Sequence, residues 1–199
     1  MNASNEARQA RRDRARHSTR TAILDAARRV ATRDGARNLS LRAAAAEAGF
    51  APAALYGYFR NKDEILLALA ADDLTAIARA MRIAAEGSDT QSPLAAASSA
   101  ALALLQNTET IAAVSQALSG NGPSEHERVF NGRLIAALTA LSDATGQRAQ
   151  NRAAQIDVLL LAATLTGAAV FARSGRLAAL GFTSEDIVER LDARFSPAV

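Results

Sequence analysis

The sequence predicts an all-α chain of about nine helices, a small N-terminal unit of three followed by a larger helical bundle. Three observations point to this. Hydrophobic residues make up 49% of the 199 residues while aromatics reach only 4%; alanine therefore carries much of the apolar count, and alanine is the strongest helix former. Apolar positions recur at helical spacing, and no segment alternates as a half-buried strand would. Helix-starting and helix-stopping residues punctuate the chain repeatedly. Small side chains bury little area each, so such a core depends on many close helix contacts.

Residues 1–17 are polar and Arg-rich with no apolar face, and are expected to form a disordered arm. The first helix is expected from about Ser18 to Asp34, with Ile23, Ala27 and Val30 on one stripe and Gly35 ending it in a left-handed cap. Ser40 is a good N-cap for a second helix carrying Leu41, Ala44, Ala45 and Ala48, which Gly49 stops after two turns. A third short helix opens at Pro52, where a missing N–H costs nothing, and runs to about Phe59. Asn61 caps a long fourth helix, with Glu64 completing a capping box and Ile65, Leu69, Ile77 and Met81 on its apolar face.

Residues 87–93 read as a linker, and Ser92-Pro93 as a helix start. Asn107-Thr108 marks a break and 119–124 a loop. Ser124 with Glu127 makes a second capping box, opening a helix that Gly146 ends. A long apolar helix follows from about Arg148 to Arg173, and a last one from near Thr183 to before Pro197. The expected division is an arm over 1–17, a head over 18–65 and a body over 66–199.

Composition narrows the function. The chain has no cysteine, which excludes a disulfide framework, a thiolate metal site and a cysteine nucleophile. The basic N-terminus lacks the apolar stretch of a secretory signal. The most apolar run, Ile156 to Ala172, is short for a membrane span and is interrupted by Asp157, Thr164, Thr166 and Gly167, so it reads as a buried helix. A soluble, cytoplasmic protein is expected. No His/Asp/Glu cluster at metal spacing, Gly-rich phosphate loop or Ser-His pair with a third member is present. No cofactor, metal or catalytic residue is expected; a cofactor-free helical enzyme remains the alternative of a different class. His126, between Glu125 and Glu127, reads as a surface residue rather than a metal ligand.

Charge is distributed unevenly. Residues 1–62 carry twelve Arg and one Lys against five acids, a surplus of +8, whereas residues 63–199 carry ten Arg against fifteen acids, a deficit of −5. A basic first third on an acidic remainder is the footprint of a nucleic-acid-binding head on a separate body. A solvated basic tail is the plainer alternative, since six Arg fall in the first twenty residues.

The informative stretch is Leu39 to Leu66, LSLRAAAAEAGFAPAALYGYFRNKDEIL. Two short helices joined by a Gly-containing turn make a helix-turn-helix, in which the first helix braces the second for the major groove. Leu55 and Phe59 face inward, leaving Ala53, Ala54, Tyr56 and Tyr58 outside. Thr19 to Leu66 resembles the DNA-binding domain of the TetR family of repressors. The resemblance rests on Ile23-Leu24-x-Ala26-Ala27, Gly35, Ser40, Ala48-Gly49, and above all Leu55-Tyr56-x-Tyr58-Phe59 followed by Asn61-Lys62-x-x-Ile65. Tyr58 stands where the family has His, and Ala51 where Ser or Thr often caps the third helix.

The resemblance implies a sequence-specific transcriptional regulator, a repressor released from its operator by a small apolar effector. An activator or a DNA-binding protein without a ligand is the alternative reading. Ser40 would bond a phosphate, Arg42 a phosphate or a base edge, and Ala53 and Ala54 would face bases, where alanine suits a thymine methyl. Tyr56 and Tyr58 would donate to phosphates unless they are plain surface aromatics. Lys62 would meet a phosphate at a helix N-terminus unless it is simply solvated. Arg20 joins this DNA-binding set. Because base readout looks sparse, the Arg arm (Arg8, Arg11, Arg12, Arg14, Arg16) is expected to add phosphate or minor-groove contacts.

The resemblance also implies a homodimer through the last two long helices, on a palindromic or near-palindromic duplex with half-sites about 34–36 Å apart or a near multiple of it. Ile156 to Phe171 has the character of that interface, with Ala162, Ala163, Gly167, Ala168 and Ala169 permitting close approach; a buried intramolecular helix is the compatible alternative. Asp157, Thr164 and Thr166 could orient a ligand or satisfy interface hydrogen bonds, and Asp157 and Thr164 are the ligand-site candidates.

Overall fold

The computed structural model describes residues 3–108, 110–114, 124–146 and 151–196. Among them are ten α-helices and no strand: α1 (Ala3–Asp34), α2 (Leu41–Ala48), α3 (Pro52–Leu55), α4 (Lys62–Glu86), α5 (Pro93–Gln106), α6 (Thr110–Val114), α7 (Glu125–Ala144), α8 (Arg152–Arg173), α9 (Arg176–Ala179) and α10 (Ser184–Phe195). A 3-10 turn covers Ala36–Asn38. The loop expected at 119–124 lies outside the described residues except for Ser124, as does the helix start expected at Arg148.

The chain divides into two compact units. One gathers the described residues of Met1–Ala70 and Glu109–Glu127, the other those of Ala71–Thr108 and Arg128–Val199. The head therefore draws in α6 and the first turn of α7, a long-range association that no local pattern announces.

In the first unit, α1 turns Ile23, Leu24, Ala26, Ala27, Val30 and Ala31 into a core closed by Ala44, Ala45, Leu55, Phe59, Ile65 and Leu69, all buried. The expected disordered arm is instead helical: α1 begins at Ala3 rather than Ser18. The arm lacks an apolar face, but Ala, Arg and Gln are strong helix formers, and adding a residue to an existing helix avoids the unfavourable nucleation step.

Gly35 does end α1, with φ 86 but an extended ψ of 145 in place of the expected left-handed cap. Its N–H still reaches Ala31 O at 2.9 Å. Across the α1–α2 contact, Glu47 accepts hydrogen bonds from Arg29 (2.8 Å) and Arg33 (3.0 Å). Those bonds, Arg29's first, hold the Glu47 carboxyl below its ordinary range.

In the second unit, α8 packs on α5 and α10 through Val158, Leu161, Leu165, Ala168 and Ala169, a stripe at helical spacing. Ser92 caps α5 by accepting the Ala95 N–H at 3.0 Å, and its hydroxyl donates to Asp192 of α10. By length and composition α8 could cross a membrane, yet only 28% of its most apolar window is buried. One face completes the bundle of this unit and the opposite face is left uncovered.

Candidate nucleic-acid interface

The braced turn is built as its sequence demands. Ser40 adopts an extended backbone and its Oγ accepts the Ala43 N–H at 3.1 Å, starting α2. Gly49 takes φ 73, ψ 24. Its N–H reaches Ala46 O at 3.2 Å, while Phe50 N–H reaches Ala45 O at 2.9 Å. That is the Schellman arrangement, which satisfies the last carbonyls of α2 and turns the chain sharply.

The helix α3 starts at Pro52 with Ala51 as an uncapped N-cap. Its regular part ends at Leu55, four residues short of the expected Phe59. Beyond it the chain tightens: Gly57 N–H bonds Ala54 O (3.4 Å), Tyr58 N–H bonds Leu55 O (2.9 Å), and Phe59 N–H bonds Leu55 O (2.9 Å). Leu55 and Phe59 are both inside, at 0% and 1% exposure.

Asn61 Oδ1 accepts the Glu64 N–H at 3.0 Å. The return half of this expected box is shifted by one residue, since Glu64 Oε2 accepts from Arg60 N–H at 2.7 Å rather than from Asn61. The second expected box is complete: Ser124 Oγ accepts the Glu127 N–H (3.1 Å) and Glu127 Oε2 accepts the Ser124 N–H (2.6 Å).

Ser40, Arg42, Ala53, Ala54, Tyr56 and Lys62 are all exposed, Tyr56 to 63%. The Ser40 cap uses an oxygen lone pair and leaves the hydroxyl hydrogen able to donate. Tyr58 is half-buried, its ring 5.8 Å from the Arg16 guanidinium carbon. Arg16 Nη2 also donates to Gly57 O at 3.3 Å.

Arg20 and His126 both meet the Phe59 ring. Arg20 lies with its guanidinium 5.3 Å from the Phe59 ring, so its charge sits against the core aromatic. His126 is not a plain surface residue. It packs its ring 5.5 Å from that of Phe59 and places Nδ1 3.7 Å from Glu64 Oε2. Sequence spacing gave no sign of this, because 62 residues separate the partners.

Residues 23–69 match the profile of the family described as "Bacterial regulatory proteins, tetR family". Over 70 residues the chain is 41% identical to the HTH-type nicotine-responsive transcriptional repressor HdnoR of Paenarthrobacter nicotinovorans. The head thus matches the TetR family over residues 23–69. The stretch shared with HdnoR spans 35% of this chain and 36% of that repressor, so it speaks for the head. A likeness of fold extends over the rest. A protein of unknown function from Rhodococcus sp. RHA1 superposes with a TM-score of 0.70 at 25% identity, covering 89% of this chain and 93% of that one. FadR from Bacillus subtilis, solved with stearoyl-CoA, gives a TM-score of 0.61 at 19% identity over 90% of this chain and 98% of its own, a likeness of fold alone.

The ligand-site candidates in the body do not converge. Thr164 is exposed and its hydroxyl donates to Leu160 O at 2.7 Å; the Thr166 hydroxyl likewise donates to Ala162 O at 2.8 Å. Asp157 is exposed and lines a small cleft of about 110 Å³ with Arg194. A wider groove of about 590 Å³ runs between α7 and α8, lined by Ile135, Leu138, Thr139, Gln155 and Leu159 among others. Within the bundle, the Ser98 hydroxyl of α5 is fully buried and has no hydrogen-bond partner.

Proposed function

We propose that this chain is a TetR-family regulator, a dimeric, sequence-specific transcriptional repressor that leaves its operator when a small, mostly apolar effector occupies the helical body. The observation that carries the DNA half is the surface of the braced turn. Ala53, Ala54, Ser40, Arg42, Tyr56 and Lys62 are exposed on and around it, and Tyr58 is half-buried. Donors of that kind fix register on phosphates while the small residues admit close approach to base edges.

The uncovered face of α8 supports dimerisation. Ile156, Leu159, Leu160, Val170 and Phe171 are exposed around the small residues Ala163 and Gly167. An added Cβ at Gly167 would meet nothing within 4 Å, so a second helix could approach closely there. Asp157 and Thr164 fall on the border between this face and the buried stripe, at rim positions for such an interface.

For the effector, the buried Ser98 hydroxyl is taken as the polar anchor because it has no hydrogen-bond partner. An unsatisfied buried hydroxyl costs about 1–3 kcal/mol, which a ligand group bonding it would recover. The nicotine response of HdnoR and the acyl-CoA bound to FadR are consistent with organic effectors for this fold, without choosing among them. A regulator of this kind works on DNA in the cytoplasm.

The test is anisotropy of the purified protein on the duplex upstream of its own gene and on a scrambled duplex, at two salt concentrations. Preference for the upstream DNA with a steep salt dependence is expected. Equal binding to both duplexes, or none, refutes the reading.

A further inference from the structure

The leading half of α1 is a basic helix that buries nothing: every residue from Asn5 to Ser18 is exposed. Residues 3–20 hold six Arg against Glu6 and Asp13, and the Asp13 carboxylate takes the Gln9 amide at 3.0 Å. Four of the arginines, Arg8, Arg12, Arg16 and Arg20, follow at steps of four and form a ridge of neighbours along one side of the helix. The end of this ridge is already fixed. Arg16 bonds the Gly57 carbonyl and covers Tyr58, and Arg20 covers Phe59. The ridge thus lies on the side of α1 turned to the exit of the recognition turn, and Arg12 and Arg8 continue it about 6 and 12 Å beyond Arg16.

The helical state decides how such a ridge can meet a duplex. A helix about 10–12 Å across does not enter a minor groove about 6 Å wide, and the neighbouring major groove belongs to α3. What remains open to it is the phosphate backbone, whose charge is complementary. We infer that the N-terminal extension of α1 is a second DNA-contacting element, in which Arg8 and Arg12 pair with phosphates flanking each half-site. This rests on the proposed operator-binding function and deepens it: with about 3.4 Å of duplex per phosphate on each strand, the footprint is widened by two to four base pairs on either side. The sequence groups Arg14 with the contacting arginines of the arm; the helix instead turns it away from the ridge, which removes it from that set and makes it the internal control. Arg14 sits two residues from Arg12, on roughly the opposite face, and its Nε donates back to Ala10 O at 3.2 Å.

The test compares full-length wild type, Arg12→Gln and Arg14→Gln by anisotropy. One duplex is trimmed to the two half-sites; a second carries six further base pairs at each end; a scrambled duplex has the longer length. Wild type should bind the longer operator about tenfold tighter than the trimmed one. Arg12→Gln should lose that gain and flatten the log–log salt slope by about one per subunit, while Arg14→Gln, with the same loss of charge, keeps both. Equal wild-type affinity for the two operator lengths, or equal losses in the two variants, overturns the inference. Weaker binding of Arg12→Gln to both lengths alike also overturns it, since that is the mark of general charge attraction. Failure of wild type to prefer operator over scrambled DNA instead removes the operator reading itself, and this inference with it.

Discussion

At the residue scale the informative position is Phe59, which a basic and a titratable side chain share. His126 lies beside its ring and faces Glu64 of α4, Arg60 before it, Arg20 of α1 and its own neighbour Glu125. Burial pushes the imidazole below its ordinary pKa of 6.5, outweighing the upward pull of Glu64. The folded head therefore prefers neutral His126, and the unfolded chain binds the proton first. Stability from this site is full above about pH 6.5 and is lost as pH falls from there toward the lower folded value. Melting temperatures measured from pH 8 to pH 5 should fall more steeply for wild type than for His126→Gln; parallel profiles would show that the buried imidazole does not couple to folding. Ser98 makes the opposite kind of test. Removing an unsatisfied buried hydroxyl is neutral or stabilising, so Ser98→Ala should melt no lower than wild type while responding less to the effector in the operator assay. A variant that melts lower would place a partner on that hydroxyl and remove it as the effector's anchor.

At the element scale, local chemistry was legible wherever a cap or a turn is made by near neighbours. Ser40, Gly49, Pro52 and Asn61 each set a boundary within a residue or two of where it was expected, because Ser40, Gly49 and Asn61 act on backbone groups three or four positions away and Pro52 through its own fixed φ. Gly49 should be hard to replace. At φ 73 a Cβ costs about 1–2 kcal/mol, although nothing stands within 4 Å of it. Gly49→Ala should lower the stability of the head by that amount through backbone strain alone, and Gly49→Asn by less, since Asn tolerates the left-handed region better. Equal melting of all three proteins would contradict the strain argument. Elements without such local signals were misjudged. The arm has no apolar face, yet helix-forming residues let α1 extend through it. The regular part of α3 stops at Leu55, short of the expected Phe59, with the poor helix former Gly57 in between. The return of α6 and the start of α7 to the head was invisible because the residues that attract one another are far apart in sequence.

At the scale of the whole molecule, assembly turns on α8. An apolar helix with a single buried stripe would carry polar residues on its other side. This one instead has a second apolar face opposite the first, with Leu159 and Leu160 exposed to 55% and 52% and Phe171 to 47%, and Asp157, Thr164 and Thr166 at its borders. Leaving that face in water forgoes roughly 25 cal/mol for each Å² of apolar surface that a second copy would cover. A two-fold assembly through it would also supply what operator recognition needs, two heads on two half-sites at a fixed spacing. Replacing Leu160 by Glu would place two charges near a symmetric, dehydrated contact, where unpaired burial is costly. Leu160→Glu should therefore sediment as a monomer, retain its far-ultraviolet helical signal, and bind a single half-site about as weakly as wild type does, losing the hundredfold or greater gain expected of two linked heads. Should it remain a dimer with wild-type operator affinity, α8 is not the interface, and its second apolar face must serve another partner.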